Sequence, residues 1–287
     1  MGGNKNWRAG KLMKYLNINK IICYLILIIS SIFFILPILW MFLQSFKNAK
    51  DTIAIPPKIF FSPTFTNYLK VLKNDYFWEA TFDSVIVSLM SVSVALAIGI
   101  PFAYALTRFN FRGKNEIAHF ILSTKMLPGI VIAIPLVQTF NYINLLDTHI
   151  GVSIAHILLM LAVIVWVMRA FLQNLPIDLE EAALLDGASR LRIIYSVILP
   201  IARPGIVTVT ALSFLFSWND LFFGLTLGSF DVVPLPIYLT TEYIGYLAVN
   251  WGELSAAGLL STFPIIVIVI LLRDNLIRGL SLGAIKG

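Results

Sequence analysis

The sequence predicts an all-α, polytopic membrane protein with six transmembrane helices, and three observations support this fold class. Of the 287 residues, 59% are hydrophobic and only 13% are charged, whereas soluble chains average roughly 45–50% apolar and about 25% charged residues. The apolar residues form runs of about 20, the length that crosses a hydrocarbon layer of ~30 Å. The Lys and Arg residues fall mainly between these runs. This composition excludes a soluble enzyme.

Six apolar runs are long enough to be transmembrane helices. They are approximately Ile21–Leu43, Val85–Leu106, Ile117–Phe140, Gly151–Met168, Ile206–Leu227 and Ala256–Leu272. The first run follows several basic residues, as the apolar part of a signal peptide does. It is longer than such a part usually is, however, and no A-x-A cleavage site follows it. We therefore expect it to remain as the first transmembrane helix.

The distribution of basic residues predicts the orientation. The N-terminus, the second and fourth connections and the C-terminus together hold 15 of the 21 Lys and Arg residues, while the third and fifth connections hold none. Because positively charged connections stay on the cytoplasmic side, both termini are predicted to be cytoplasmic. The net charge of +6 then reflects topology, and no nucleic-acid partner is predicted. The predicted organisation is a cytoplasmic N-terminus over 1–20, a membrane domain over 21–278 and a cytoplasmic tail over 279–287.

The first connection, residues 44–84, is predicted to be external although it contains five lysines. Acidic residues dilute its charge, and longer translocated segments weigh less in the orientation rule. Pro56-Pro57 and Ser62-Pro63 predict an irregular stretch. After it, residues 65–82 form either an amphipathic helix lying on the membrane or an ordinary ordered loop. The pattern does not separate these two alternatives.

No catalytic, cofactor or metal site is predicted for this chain. The one cysteine, Cys23, lies in an apolar run and cannot build a disulfide framework or a zinc site. His119, His149 and His156 lack the spacing of metal ligands. The phosphate-loop pattern G-x-x-x-x-G-K-[ST] is missing, since Gly113-Lys114 is followed by asparagine. If the protein uses ATP, a partner has to bind it.

The fourth connection, residues 173–203, is long, cytoplasmic by prediction, and patterned. Asp178 and Glu181 have the spacing of a capping box, which predicts a helix that continues to Leu185. Asp186-Gly187 predicts a turn after this helix.

Ser189 then predicts the N-cap of a second helix, which Pro200 and Pro204 end before the fifth span. Its apolar residues recur at helical spacing; they are Leu191, Ile194, Tyr195 and Ile198. This apolar stripe either enters a groove of another protein or lies against the helix ends of the same chain. Composition and spacing leave both possibilities open.

The same connection resembles a known motif. Glu181-Ala182-Ala183, followed after three residues by Gly187 and after nine more by Val197-Ile198-Leu199-Pro200, resembles the EAA loop of binding-protein-dependent ABC importer permeases. Val197 replaces the usual isoleucine. Further segments resemble the carbohydrate-importer, MalG-like branch of these type I importers; they are Ala103–Leu106, Arg108–Gly113, Met126–Gly129, Gly187–Ser189, Ser217–Asp220, Arg278–Leu280 and Ala284–Gly287.

The resemblance implies a function and a set of partners. In that family the EAA loop forms a coupling helix that sits in a cleft of a cytoplasmic ATPase subunit. It therefore implies that an ATPase docks on Glu181, Ala182, Ala183 and Gly187, while Leu199 and Pro200 set the return into the membrane. The implied partners are a second permease in a heterodimer, two ATPase subunits that hold ATP and Mg²⁺, an extracytoplasmic solute-binding protein and a sugar or polyol. The tail from Arg278 either contacts the ATPases or frays.

Polar residues within the spans are candidates for the transport pathway or its gate, because ionisable groups at membrane depth are costly. For Trp218, Asn219 and Asp220 in the fifth span, two roles are considered: binding the solute, or fixing or gating the helix bundle. The second role is favoured. Gln138 and Asn141, at the outer end of the third span, are weaker pathway candidates.

Lys125 in the third span is expected to snorkel or to contact a helix end. Gly224 and Gly228 make a G-x-x-x-G pair suited to close helix contact.

The sequence therefore predicts a permease subunit that lines half of a translocation pathway in the inner or plasma membrane of a prokaryote. Three rival functions remain: an importer of a non-sugar solute, a secondary transporter and a membrane enzyme. A secondary transporter needs coupling-ion groups near the bilayer centre, and an enzyme needs convergent catalytic groups. Neither pattern is visible in the sequence.

Overall fold

The computed structural model describes residues 5–228, 230–245 and 249–281, and the side chains of 20–228, 230–245 and 249–273. Apart from an isolated β-bridge between Ile244 and Val249, the regular structure of these ranges is helical. The predicted all-α class is confirmed. The chain forms two compact units, one of residues 1–70 and 250–259 and one of residues 71–249 and 260–287.

The helices follow one another with short connections. In chain order they are α1 (Lys5–Ser45), α2 (Ala49–Thr52), α3 (Thr66–Lys73), α4 (Asp75–Arg108), α5 (Lys114–Ser123), α6 (Gly129–Tyr142), α7 (His149–Gln173), α8 (Asp178–Leu185), α9 (Arg190–Ile193), α10 (Leu199–Ile201), α11 (Arg203–Trp218), α12 (Phe222–Leu227), α13 (Leu235–Tyr243) and α14 (Trp251–Ser281). A 3₁₀ turn, Thr124–Met126, follows α5, and a π-helical turn, Ile194–Ile198, joins α9 to α10.

Four helices in the described ranges are long and apolar enough to cross a membrane, namely α1, α4, α7 and α14. Each contains one of the predicted spans. Two further crossings arise if each of two bent helix pairs counts as one span, which gives six; the pairs are Lys114–Met126 with Gly129–Tyr142 and Arg190–Ile201 with Arg203–Trp218. Residues 279–281 of the predicted tail form the end of α14, and residues 282–287 lie outside the described residues.

The third predicted span, Ile117–Phe140, is bent sharply, as Pro128 and Pro135 within it indicate. The part up to Met126 and α6 meet at 94°. Leu127 between them has an extended backbone, with φ −72° and ψ 130°, because the residue before a proline, here Pro128, disfavours the helical region.

The fifth predicted span, Ile206–Leu227, is also interrupted. Helix α11 ends at Trp218, and residues 219–221 separate it from α12. The carboxylate of Asp220 accepts hydrogen bonds from the amides of Phe223 and Gly224, at 2.8 and 3.1 Å. A side chain that satisfies the first amides of a helix favours a new start over continuation.

The first connection matches its prediction only in part. Residues 53–65 contain no helix, as the prolines indicated. Residues 65–82 are neither one helix nor a loop, because α3 ends before Asn74 and α4 begins after it. The Asn74 side chain accepts a hydrogen bond from the Tyr76 amide at 3.0 Å and so caps α4.

In the smaller unit, α3 is tied to the end of α1. The buried Asn67 amide donates to the carbonyls of Ser45 and Lys47, both at 2.8 Å. The Lys47 ammonium lies 4.4 Å from the centre of the Trp40 ring, and burial lowers its pKa below the usual value. Lys70 forms an ion pair with Glu253 at 2.6 Å. Hydrogen bonds and an ion pair therefore hold this unit together.

Candidate functional site

The EAA loop, residues 173–203, has a well-defined turn at its centre. Gly187 has a φ of +79°, a left-handed conformation that glycine adopts without steric cost. The amide of Gly187 donates to the Leu184 carbonyl and the amide of Ala188 to the Ala183 carbonyl, both at 3.0 Å. These two bonds form a Schellman motif, which closes the C-terminus of α8. The predicted turn is confirmed.

The capping box predicted for the start of α8 does not form. Asp178 is the first helical residue, and the preceding Ile177 makes no side-chain cap. Asp178, Glu180 and Glu181 all lie in the first turn, where carboxylates interact favourably with the helix dipole. Ser189, in contrast, caps the second helix as predicted, because its hydroxyl accepts from the Arg192 amide at 3.3 Å.

The residues assigned to docking are accessible. Glu181, Ala182 and Gly187 are exposed, Ala183 is half-buried, and Leu185 is 90% exposed. A Cβ atom placed on Gly187 would meet no atom within 4 Å. This part of the chain therefore presents a small-residue surface around the Gly187 turn, and a partner can approach it closely.

The apolar stripe of the second helix is divided between the inside and the outside. Ile193, Ile194 and Ile198 are buried, whereas Leu191 and Tyr195 are 67% and 65% exposed. The π-helical turn accounts for the position of Ile198, because the Leu199 amide donates to the Ile194 carbonyl five residues earlier and the residues per turn increase. Ile194 and Ile198 thus suit the predicted packing within the same chain, and Leu191 and Tyr195 suit the predicted contact with another protein.

The loop returns to the bundle through a sharp bend. The segment 190–201 and α11 meet at 81° around Ala202. Leu199 is half-buried and Pro200 is exposed, and both belong to the short helix α10 before the bend. Pro204 is one of the first residues of α11, a position where the missing amide hydrogen does no harm.

The sequence did not indicate the buried Glu180. Its side chain is 2% exposed, and it accepts hydrogen bonds from Arg108 Nε at 2.5 Å and from the Tyr104 hydroxyl at 2.8 Å. Arg108 also donates to the Leu175 carbonyl at 3.2 Å. The adjacent glutamates of α8 therefore differ in environment: Glu181 faces outward and Glu180 connects α8 to the C-terminal end of α4.

The three polar candidates of the fifth span lie in two environments. Trp218 is 3% exposed, and its indole donates to the Ser261 carbonyl at 3.1 Å. Asp220 caps α12 and lies 3.2 Å from Nε2 of the buried His156, whose Nδ1 is 2.8 Å from the Ser217 hydroxyl. Asn219 is exposed. The structure thus places Trp218 and Asp220 within the bundle and leaves Asn219 at its surface.

The remaining candidates lie near the two helix breaks. Lys125, in the 3₁₀ turn, is half-buried with its ammonium 4.5 Å from the centre of the Phe216 ring. Gln138 and Asn141 are exposed on α6. These two residues and Asn219 are the fully exposed members of the polar candidates.

Gly224 and Gly228 make their closest contacts with the part of the chain that follows α12. A Cβ on Gly224 would come within 3.0 Å of the Ile237 side chain, and one on Gly228 within 2.5 Å of the Val232 carbonyl. The close contact expected of this pair therefore involves the segment that follows α12.

Side chains at the N-terminal end of α4 and before α7 fix that segment, a feature the sequence did not indicate. Asp147 accepts hydrogen bonds from the amides of residues 230–232 at 2.9–3.3 Å. Asp83 accepts from the Val233 amide at 2.9 Å and lies 2.8 Å from His149 Nε2. Ser84 accepts from the Leu235 amide at 2.7 Å. The 230–235 segment is therefore tied to the bundle.

A helical, multi-pass bundle that carries an exposed EAA loop defines a permease subunit of an ABC importer. Residues 95–282 match the family model described as the binding-protein-dependent transport system inner membrane component, and the chain belongs to this family. It is accordingly a multi-pass membrane protein.

Similar proteins include the trehalose transport system permease protein SugB of Mycobacterium tuberculosis, 33% identical over 88% of this chain and 93% of that protein. The trehalose/maltose transport system permease protein MalG of Thermococcus litoralis is 28% identical over 91% and 94%. A chain of a bacterial ABC transporter involved in the import of the acidic polysaccharide alginate has the same fold, with a TM-score of 0.76, 24% identity and coverage of 90% and 96%. The type I importer permease fold is thus confirmed.

Proposed function

We propose that this chain forms half of the translocation pathway of an ATP-driven importer for a carbohydrate or polyol. The observation that carries the proposal is the EAA loop, with its Schellman turn at Gly187 and its exposed small residues. Glu181, Ala182, Ala183 and Gly187 dock to an ATPase, and Leu199 and Pro200 direct the chain back into the membrane. A glycine at the turn and alanines beside it allow close approach of the partner.

The assembly contains a second permease, two ATPase subunits and an extracytoplasmic solute-binding protein. ATP and Mg²⁺ bind to the ATPases, and this chain carries out no bond chemistry. Both termini and the EAA loop face the cytoplasm, because these parts hold most of the basic residues. Closure of the ATPases moves the EAA loops toward each other and opens the pathway outward, and hydrolysis resets it.

The proposed solute class follows from the relatives, whose names state trehalose and trehalose/maltose. Hydroxyl-rich solutes are held by amides, carboxylates and aromatic rings. The exposed amides of Gln138, Asn141 and Asn219 suit contact with such a solute, whereas the buried Trp218 and Asp220 fix the helix break between α11 and α12. A permease for a non-sugar solute has the same EAA loop and is the alternative.

The test is the vanadate-sensitive ATPase activity of the reconstituted complex, measured with binding protein loaded with candidate solutes. We expect stimulation by at least one disaccharide, oligosaccharide or polyol and none by amino acids. A complex stimulated only by amino acids would overturn the solute class while leaving the permease role intact.

A further inference from the structure

Helix α4 contacts the EAA loop at one end and the 230–235 segment at the other. At its C-terminal end, Arg108 and Tyr104 bind Glu180. In its N-terminal third, Asp83 and Ser84 accept hydrogen bonds from the amides of Val233 and Leu235, which follow α12. Asp83 and Arg108 are 25 residues apart in this helix, about 37 Å at ~1.5 Å per residue.

The contact with the EAA loop is buried and charged. Glu180 and Arg108 have side chains 2% and 9% exposed, and both carboxylate oxygens of Glu180 are bonded. Removing one partner of such a pair leaves an uncompensated buried charge. Bonding through two oxygens also fixes the orientation of α8 relative to α4, which a single apolar contact would not do.

Two other contacts join the loop to the same end of α4. Arg108 Nη2 donates to the Leu175 carbonyl, just before α8. Arg190, the first residue of α9, lies with its guanidinium 5.7 Å from the centre of the Phe109 ring. The loop is therefore held at α4 both before and after the Gly187 turn, so that the two parts move with the helix together.

Helix α4 is also packed closely along its length. A Cβ on Gly99 would lie 2.7 Å from Ile164 Cγ2 of α7, so the two helices touch there with almost no space between them. Closely packed helices move together rather than deform independently. A displacement at the C-terminal end of α4 is thus transmitted to the pair of helices.

We propose that Glu180 is the positioning residue through which movement of the EAA loop is transferred to α4 and on to the 230–235 segment. This inference rests on the proposed function, because it assigns a role within ATP-driven transport. The side chain of Glu180 is buried against Arg108 and Tyr104, so docking is assigned to the exposed residues of the loop and not to this carboxylate. Its substitution should uncouple the ATPase from transport without releasing it.

The experiment compares Glu180→Gln, Arg108→Gln and the double variant in the complete complex with both permeases, the ATPases and the binding protein. Three quantities are measured: ATPase recovered with the permease, the ATP hydrolysis rate stimulated by loaded binding protein, and solute molecules transported per ATP. The exposed Glu116 of α5 provides the control Glu116→Gln, which should leave all three unchanged.

We expect ATPase recovery within about twofold of the unmodified complex and a fall of roughly tenfold or more in solute transported per ATP. Because the two side chains act as a unit, the double variant should lose no more than either single variant. It also leaves no unpaired buried charge, so it should assemble even if a single variant does not.

Three results would overturn the inference. The first is a normal number of solute molecules transported per ATP in the assembled double variant, and the second is a loss of ATPase recovery that parallels the loss of transport. The third is a loss of transport in the double variant that equals the product of the losses in the two single variants. Failure of every variant to assemble would also overturn it, since the pair would then serve folding. Failure of the proposed function looks different, because the unmodified complex would then show no ATP-driven uptake.

Discussion

Substitutions at Gly187 separate the conformation of the EAA turn from the space around it. The residue has a φ of +79°, and a Cβ there would meet no atom within 4 Å. Alanine therefore adds only backbone strain, which is about 1–2 kcal/mol for an ordinary L-residue in the left-handed region. Asparagine adopts that region several-fold more readily and should cost less. Arginine adds the strain of alanine together with a large charged side chain at the docking surface.

The expected effects on docking follow from these costs. A strain of 1–2 kcal/mol corresponds to a factor of roughly 5 to 30 in a population, and apparent affinity falls in proportion to the population that can bind. Alanine should thus weaken ATPase binding by at most about this factor, and asparagine by less. Arginine should abolish binding, because the partner can no longer approach the turn.

The assay is copurification of the ATPase with tagged permease from solubilised membranes, with the amount of permease in the membrane as the control for insertion. All three variants should insert normally. Normal ATPase recovery and full transport with Gly187→Arg would refute the reasoning. Equal losses with asparagine and arginine would show that bulk around the turn is irrelevant.

Three further predictions test the packing and the polar contacts. Gly99→Ala should lower stability by about 1–3 kcal/mol through overpacking, seen as a lower thermal transition of the purified protein, and Ile164→Ala in the same chain should relieve part of the loss. Asp220→Ala should destabilise α12 by about 0.5–2 kcal/mol through loss of its cap, measured by hydrogen exchange of that helix, and Asp220→Asn should retain most of the cap. The hydrogen bond from Lys58 holds the pKa of the Asp51 carboxyl group below its usual value. The ionised carboxylate therefore stabilises the folded protein at pH values above the usual pKa, and this stabilisation is lost as the pH falls through the lowered pKa. Proteolysis of residues 49–60 should accordingly increase at acid pH, and Asp51→Asn should remove that increase.

The long apolar helices are predictable because long apolar runs have few alternatives in a bilayer. Helices α1, α4, α7 and α14 each contain a predicted span. The turn at Gly187 and the cap at Ser189 were predictable for a different reason, since glycine and serine at such positions satisfy the helix ends through local contacts.

The failures of prediction come from contacts that are distant in the sequence. Glu180 and Glu181 are adjacent acids in the sequence, and the contacts of Glu180 with Tyr104 and with Arg108, 72 residues away, distinguish the buried acid from the exposed one. The break after Trp218 likewise depends on Asp220, whose carboxylate both caps α12 and contacts His156. A single sequence contains no periodicity that links these pairs.

The apolar spacing in the sequence does not indicate that the stripe divides between the inside and the outside. With 3.6 residues per turn, Leu191 and Tyr195 would share a face with Ile194 and Ile198. The π-helical turn over 194–198 widens the spacing and so rotates Ile198 away from the face that Leu191 and Tyr195 share. A proline at position 200 reduces the donors available for regular α-helical bonds, and this was the only local indication.

The central claim is that this chain moves solute only when a separate ATPase acts on its EAA loop. Uptake of labelled sugar into proteoliposomes that contain the complete complex tests it most directly, with loaded binding protein on one side and ATP on the other. We predict uptake that requires ATP hydrolysis and every subunit, and that ceases with Gly187→Arg while the protein remains in the membrane. Uptake driven by an ion gradient in the absence of any ATPase would contradict the claim.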